Sequence, residues 1–292
     1  MKKKTIFFFY NLIKNIYKNF SKPKIKIISK FNKKFYIISN DTLAKKKFHE
    51  KHFIDLIKIL LNKNHNAVDL GAHIGMHSLL MSKIIKGGKI FSFECDSLLY
   101  SLLQININKN KIKNIFPYKF AVSNKSGDCV SLSALDYSDK SLNAGVTHIC
   151  NENIFHSNLT LSIRLDDLSL PFINFIKMDI QGSEFLALKG MNRILDSDRP
   201  IFFVEIEEFY LNKMGSSSKN LIELFFSKKY TLFRIKTSYP CDHIAVPIEK
   251  KKYVKTILDK HFKYQLDELC GKKIELEFGK NLYTYTKFYL EN

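Results

Sequence analysis

Three acids stand at the ends of apolar runs in this sequence: Asp69 in VDLGAHIG, Glu94 in KIFSFECD and Asp179 in FIKMDIQGSE. An ionised carboxylate only accepts hydrogen bonds, so an acid at a strand tip suits a diol, an ammonium group or a departing proton. The turn Gly71-Ala72-His73-Ile74-Gly75 after the first acid keeps side chains away from the backbone, as close approach to a ligand requires. Glu94 follows Gly75 by 19 residues, a spacing that suits an acid receiving a ribose diol. Dinucleotide binding would want G-x-G-x-x-G, whose middle glycine is missing here, and a P-loop would want Lys-Ser/Thr after the second glycine. Together the turn and Glu94 predict a nucleoside site.

The elements that must position these residues alternate along the chain. Lys24–Ser39 reads as a hairpin with a polar turn, and a helix is expected over Lys47–Leu61. Strands are expected at Ala67–Leu70, Lys89–Glu94, around Tyr118–Ser123, and at Leu159–Arg164, Ile173–Met178, Ile201–Ile206, Tyr230–Ile235 and Ile244–Pro247. Helices are expected at Gly75–Lys86, Ser97–Asn108, Ser183–Leu195 and Lys219–Ser227, with an irregular Ser-rich stretch from Ser123 to Asn158. Near-continuous apolar strands spaced by helices predict a mainly parallel sheet covered on both faces. In such a sheet ligands bind beyond the carboxyl ends of the strands. The aromatic-rich tail from about Leu258 has no clear pattern.

D-x-G-A-x-x-G over Asp69–Gly75 resembles the first motif of class I S-adenosylmethionine-dependent methyltransferases. FSFECD, NINKN, FAVSNKSG, RLDDL, FIKMDIQGSEFLALKG and PIFFVEIEE then occur in one order. From about Val68 to Pro247 the chain resembles the FkbM family of methyltransferases, most specifically in KMDIQGSE and LKG. The resemblance implies a Rossmann-like class I methyltransferase fold, an α/β protein with a mainly parallel seven-stranded sheet and helices on both faces. It implies S-adenosyl-L-methionine as cofactor, held by Asp69, Gly71, Ala72, Gly75, Glu94, Ala121 and Asp179. Gly71 and Gly75 would let the backbone close on the methionine part, and helix N–H groups after Gly75 would face its carboxylate. Asp69 would face its ammonium directly or through water. Gln181 stands where the family signature has Glu, removing a charge while keeping an acceptor.

Methyl transfer to oxygen needs the acceptor held in line with water excluded, and a base helps as the proton leaves. Asp179 is the first candidate for base or acceptor-orienting group, and Glu184, which opens the next helix, is the second. For Glu184 the alternative is an acid that complements the helix dipole. Glu205 lines the acceptor side or bonds loop backbone, while Asp166 and Asp167 are expected to turn the chain. His73 and His77 are four apart, but Ile74 stands where a zinc-protease helix needs Glu, so both are expected in the loop or facing solvent and no metal site is expected. Asp242-His243 is a weaker candidate for an acid-base pair, and ordinary turn chemistry explains it well enough.

The charge is unevenly placed. Residues 1–66 hold 17 Lys against Asp41, Glu50 and Asp55, a net +14 out of +19 overall, and the whole chain has only four Arg. Base readout favours Arg, which argues against a sequence-reading nucleic-acid binder. The amino-terminal stretch imitates a signal peptide, but Asn11 and Lys14 interrupt its apolar run and no A-x-A pattern follows. On a helix Ile6, Phe9, Ile13, Ile16, Tyr17 and Phe20 share one side, expected to pack on the domain, with an anionic membrane surface as the alternative partner. Five scattered cysteines without C-x-x-C suggest neither disulfides nor zinc and fit a reducing, cytoplasmic setting. The expected organisation is a basic extension (1–66), a methyltransferase core (67–248) and a carboxyl-terminal extension (249–292). The expected reaction is O-methylation of a hydroxyl on a sugar or glycan, a polyketide or another secondary metabolite. A nucleic-acid methyltransferase and a non-catalytic nucleoside-binding protein are the alternatives.

Overall fold

Short stretches of β-branched and aromatic residues form the centre of the protein. The computed structural model describes residues 22–42, 50–133, 158–237 and 241–269, with 139, 142, 144, 149 and 150 between them. The amino-terminal stripe and the tail beyond 269 lie outside the described residues. Strands β3 (Ala67–Leu70), β4 (Ile90–Phe93) and β10 (Phe175–Met178) are buried along their whole length, as strands covered on both faces must be. With β5 (Ile115–Tyr118) and β11 (Ile201–Glu205) they pair in parallel in the order β5-β4-β3-β10-β11. Beyond β11, β13 (Asp242–Pro247) runs antiparallel, and β12 (Tyr230–Ile235) pairs antiparallel to β13. This is the expected Rossmann-like α/β arrangement, with one strand more than the seven expected. The addition is β14 (Leu266–Leu269), which pairs with β12 at the sheet edge.

Side-chain alternation divides the core into two layers. Phe175, Phe203 and Ile244 belong to the layer covered by the helices Lys51–Leu60, Met76–Ile84, Ser97–Lys109 and Lys251–His261. Ile176, Phe202 and Ala245 belong to the opposite layer, with Ala187, Leu221 and Phe225 from the helices Glu184–Lys189 and Ser218–Ser227. The helix Lys51–Leu60 buries His52, Phe53, Leu56, Ile57 and Leu60, one stripe of a 3.6-residue period. Asp96 starts the helix Ser97–Lys109 by accepting from the N–H groups of Leu98 and Leu99, and Ser217 caps the helix after it through Asn220.

The hairpin of β1 (Ile25–Lys30) and β2 (Lys33–Ile38) turns through Phe31 and Asn32 with φ of 53° and 56°, the left-handed pair of a two-residue turn. The free edge of β2 is satisfied in an unusual way. Asn106 accepts from Tyr36 N–H and donates to Tyr36 C=O, and Asn110, one helical turn on, does the same for Lys34. Two side-chain amides stand in for a neighbouring strand. Asn106 also donates to the carbonyl of Ile74, inside the glycine turn. Phe35, Ile37 and Ile38 share one hydrophobic cluster with Val254 and Leu258, so described parts of both flanks join the central layer rather than forming cores of their own.

Several elements differ from expectation, including the helix Lys251–His261, which is not among those expected. The strand expected around Tyr118–Ser123 divides: β5 ends in the main sheet, and β6 (Ala121–Val122) enters a smaller sheet with β9 (Leu159–Ile163), β7 (Cys129–Leu132) and β8 (Ile149–Cys150). The helix expected from Ser183 to Leu195 stops at Lys189, because Gly190 lies against Ser123 so closely that a Cβ would sit 2.0 Å from its carbonyl oxygen. A helix absent from the expectation, Glu208–Lys213, follows β11.

Replacing Asn106 with Ala would leave buried backbone groups without partners. A loss of about 1–3 kcal/mol is expected, to be measured by urea unfolding monitored by circular dichroism.

Candidate active site

The glycine turn is wedged between two strand tips. Gly71 has φ +73°, and a Cβ there would sit 1.9 Å from the carbonyl oxygen of Asp179. Only glycine lets the ends of β3 and β10 approach this closely. The N–H groups of Gly71 and Ala72 both donate to Phe93 C=O at the tip of β4. Gly75, with φ +90°, opens the helix Met76–Ile84 against Leu103.

Glu94 fastens the middle of the turn. Its Oε2 accepts from His73 N–H at 2.7 Å and its Oε1 from Asp96 N–H at 2.8 Å. Burial raises its pKa to about 7, although both backbone donors oppose the shift. Each oxygen keeps a second lone pair, so an acid already holding the turn can still receive a diol.

Asp69 is placed differently from expectation. Its carboxylate is fully buried beneath the turn, where it accepts from Ser78 Oγ and lies 3.6 Å from Lys177 Nζ. It braces the turn from below, and its full burial leaves no direct contact with a cofactor ammonium. Alternation along β3 dictates this, since register puts Asp69 beside Ser92 on β4 and Lys177 on β10.

Lys177 is the residue that sequence reasoning passed over. It is 1% exposed, and its ammonium donates to Gly71 C=O at 2.9 Å and to Leu70 C=O at 3.3 Å. It also lies 3.3 Å from Asp179 Oδ2. Burial alone would discharge it, but Asp179, Asp69 and Glu50 more than reverse this and hold its pKa above the ordinary lysine value. The available signal was a lysine inside an otherwise apolar strand.

Asp179 reaches the carboxyl edge with 30% of its side chain exposed. Burial would raise its pKa, but Lys177 and the hydrogen bonds it shares with Glu205 and Gln181 hold it below the usual carboxylate range. Gln181 acts through its donor rather than as an acceptor: Nε2 donates at 2.8 Å to Asp179 Oδ1 and at 2.8 Å to Glu205 Oε2. Glu184 does not extend into the cleft. It folds back so that its two oxygens accept from Ile180 N–H and Gly182 N–H, both at 2.9 Å, and burial raises its pKa to about 7. Ala121 is buried at the head of β6, in the smaller sheet.

His77 departs from expectation, whereas His73 lies in the turn as expected. His77 is not turned to solvent: it meets Glu50 Oε2 at 2.6 Å and packs edge-on against Phe53. Burial would lower its pKa, but the Glu50 carboxylate reverses the shift upward. His73, mostly buried, lies 3.9 Å from Asp41. Asp242 pairs with His52 at 2.6 Å rather than with His243, which bonds Cys241 C=O instead. Burial raises the Asp242 pKa to about 6, with His52 opposing.

A family model, the methyltransferase FkbM domain, matches residues 69–232, the span that holds the turn, Glu94, Lys177, Asp179 and Glu205. The protein belongs to the FkbM methyltransferase family. Over 161 residues this FkbM protein is 26% identical to the hexuronic acid methyltransferase AglP of Haloferax volcanii, covering 52% of this chain and 61% of that one. It is similar to the crystal structure of an FkbM methyltransferase from Methylobacillus flagellatus KT, at 17% identity and TM-score 0.46, covering 71% of this chain and 47% of the other. A further similar structure is M. jannaschii TYW2 in complex with AdoMet, at 17% identity and TM-score 0.43, covering 78% of this chain and 86% of that one. The chain thus spans 61% of the length of the first and 47% of the second, under two thirds in each case.

The residues fit S-adenosylmethionine, the family's methyl donor. Gly71 leaves bare backbone at the crossing of two strand tips, and the buried Glu94 carboxylate has lone pairs for a ribose diol.

A diol donates to a carboxylate, so cofactor affinity is expected to rise as pH increases through about 7, where free Glu94 ionises. Calorimetry should show this limb flatten in Glu94→Gln, and Glu94→Ala should weaken binding by about 1–3 kcal/mol. Lys177→Met would leave the buried Asp69 and the partly exposed Asp179 without their cation. A loss of about 3–5 kcal/mol in unfolding free energy is expected from urea titration.

Proposed function

We propose that this FkbM protein transfers the methyl group of S-adenosylmethionine to a hydroxyl oxygen of a sugar, glycan or similar small metabolite. The observation that carries this is the Asp179 carboxylate, partly exposed one strand from Gly71 and held in place by Lys177 and Gln181. When bound, the cofactor supplies an electrophilic sulfonium methyl. The chain's own residues supply placement. Backbone at Gly71 closes on the methionine part, and Glu94 takes the ribose. Asp179 accepts the hydrogen bond of the acceptor hydroxyl and so aims its oxygen along the line of displacement.

The ion pair with Lys177 makes Asp179 a weak base, which decides how the proton is handled. It does not strip a free alcohol. Once the new C–O bond forms, the oxygen becomes strongly acidic, and a weak carboxylate already bonded to it suffices to receive the proton. The same negative charge faces the sulfonium in the ground state, so its main contribution is orientation. Glu184 supports this site from behind, as the clamp of the loop that carries Gln181.

The rival reading, a nucleic-acid methyltransferase, rests on the net charge, most of which lies in residues 1–66. Phosphate binding would weaken steeply with added salt, whereas binding of a neutral acceptor would not.

Incubation with methyl-labelled cofactor and fractionated glycans is expected to yield label that resists mild base, as an ether does and a methyl ester does not. Asp179→Asn should lower that turnover by about 100-fold with a much smaller effect on cofactor affinity. Label found only in base-labile esters or in nucleic acid would refute hydroxyl transfer.

A further inference from the structure

Register fixes what lies next to Asp179 on the side away from the cofactor turn. Met178 pairs with Val204 and Glu205 pairs with Asp242, so Gly71, Asp179, Glu205 and Asp242 follow one another across the strand tips. Neighbouring strands lie about 4.8 Å apart, so from Gly71 through Asp179 to Glu205 the ledge extends roughly 10 Å, with Asp242 buried against His52 behind its far end.

The donors around this ledge are already engaged. Lys177 is spent on two carbonyls and on Asp69 and Asp179, beneath the surface. His52 is held by Asp242 and His77 by Glu50. Gln181 gives its amide to Asp179 and Glu205 together. The loop bearing it is fixed from several sides. Gln181 has φ +51° and Gly182 φ +99°, Glu184 holds the N–H groups on either side, and a Cβ on Gly182 would sit 2.3 Å from Tyr210 C=O. A strained, over-determined backbone of this kind persists where one side chain must be aimed.

We infer that Gln181 and Glu205 are specificity-determining residues of the acceptor subsite, and that they select an uncharged polyol while rejecting a uronate. The inference rests on the methyltransferase function proposed above. The amide holds the Asp179 and Glu205 carboxyls side by side, and a polyol brings hydroxyl donors to the lone pairs that the amide leaves open. A uronate would bring a carboxylate to a ledge of carboxylates, with the described cations there already paired, and like charges brought together are disfavoured.

The test uses the full chain, methyl-labelled S-adenosylmethionine and matched acceptors that differ only at one carbon: the methyl glycosides of glucose and glucuronate, and of galactose and galacturonate. The neutral member of a pair is expected to be methylated with kcat/KM roughly tenfold or more above the uronate. Glu205→Gln, which removes a charge with little change of shape, should narrow that ratio several-fold, and Gln181→Glu, which adds one, should widen it. A structural defect would instead lower both members alike. Preference for the uronate, or a ratio that neither variant moves, overturns the inference. If the cofactor binds and no member of either pair is methylated, the acceptor assignment falls while the methyltransferase proposal stands. Failure to bind the cofactor defeats both.

Discussion

A buried ammonium between two carboxylates organises this protein. Lys177 cannot remain charged in the interior without Asp69 and Asp179, and neither acid is stable there without it. The three sit on adjacent strands, so the ion pairs fix how far the tips of β3 and β10 stand apart and which way Asp179 points. Two of the lysine's hydrogen bonds end on carbonyls of the glycine turn itself. Electrostatics in the core and the shape of the turn are one constraint. Removing a charge from this group would disturb the place where ligand and chemistry meet, not only the packing beneath it.

The flanking segment completes the site. Glu50 and His52 come from the start of the first described helix and meet His77 and Asp242 across the top of the central layer. A family model that begins at residue 69 leaves these two residues outside its span, although their partners lie close to or within it. The carboxyl edge of the sheet is thus roofed by chain that precedes the first core strand.

Local order was legible in the sequence. The alternation of apolar strands and helices, the glycine turn and the acid after the second strand all follow from spacing within a few tens of residues. What could not be read were partnerships over long separations. His52 and Asp242 are 190 positions apart, and nothing in the composition near either points to the other. Asp69 and Glu184 were legible as acids near the turn and the loop, but not in direction, because strand alternation and loop closure decide whether a carboxylate faces the ligand or the backbone. The role of Gln181 reversed for the same reason: with acids on both sides, an amide donates. The eighth strand stayed hidden because four residues of LDEL carry too little apolar pattern to mark a strand.

The asparagine that stands in for a strand beside β2 has a dynamic consequence. The same Asn106 amide, on the helix Ser97–Lys109, holds both Tyr36 and Ile74, so the hairpin and the glycine turn share one anchor. Local openings of the two regions therefore belong to one cooperative unit, and their amide protons would exchange together. Any ligand that quietens the turn would also slow solvent access to a hairpin that it never touches.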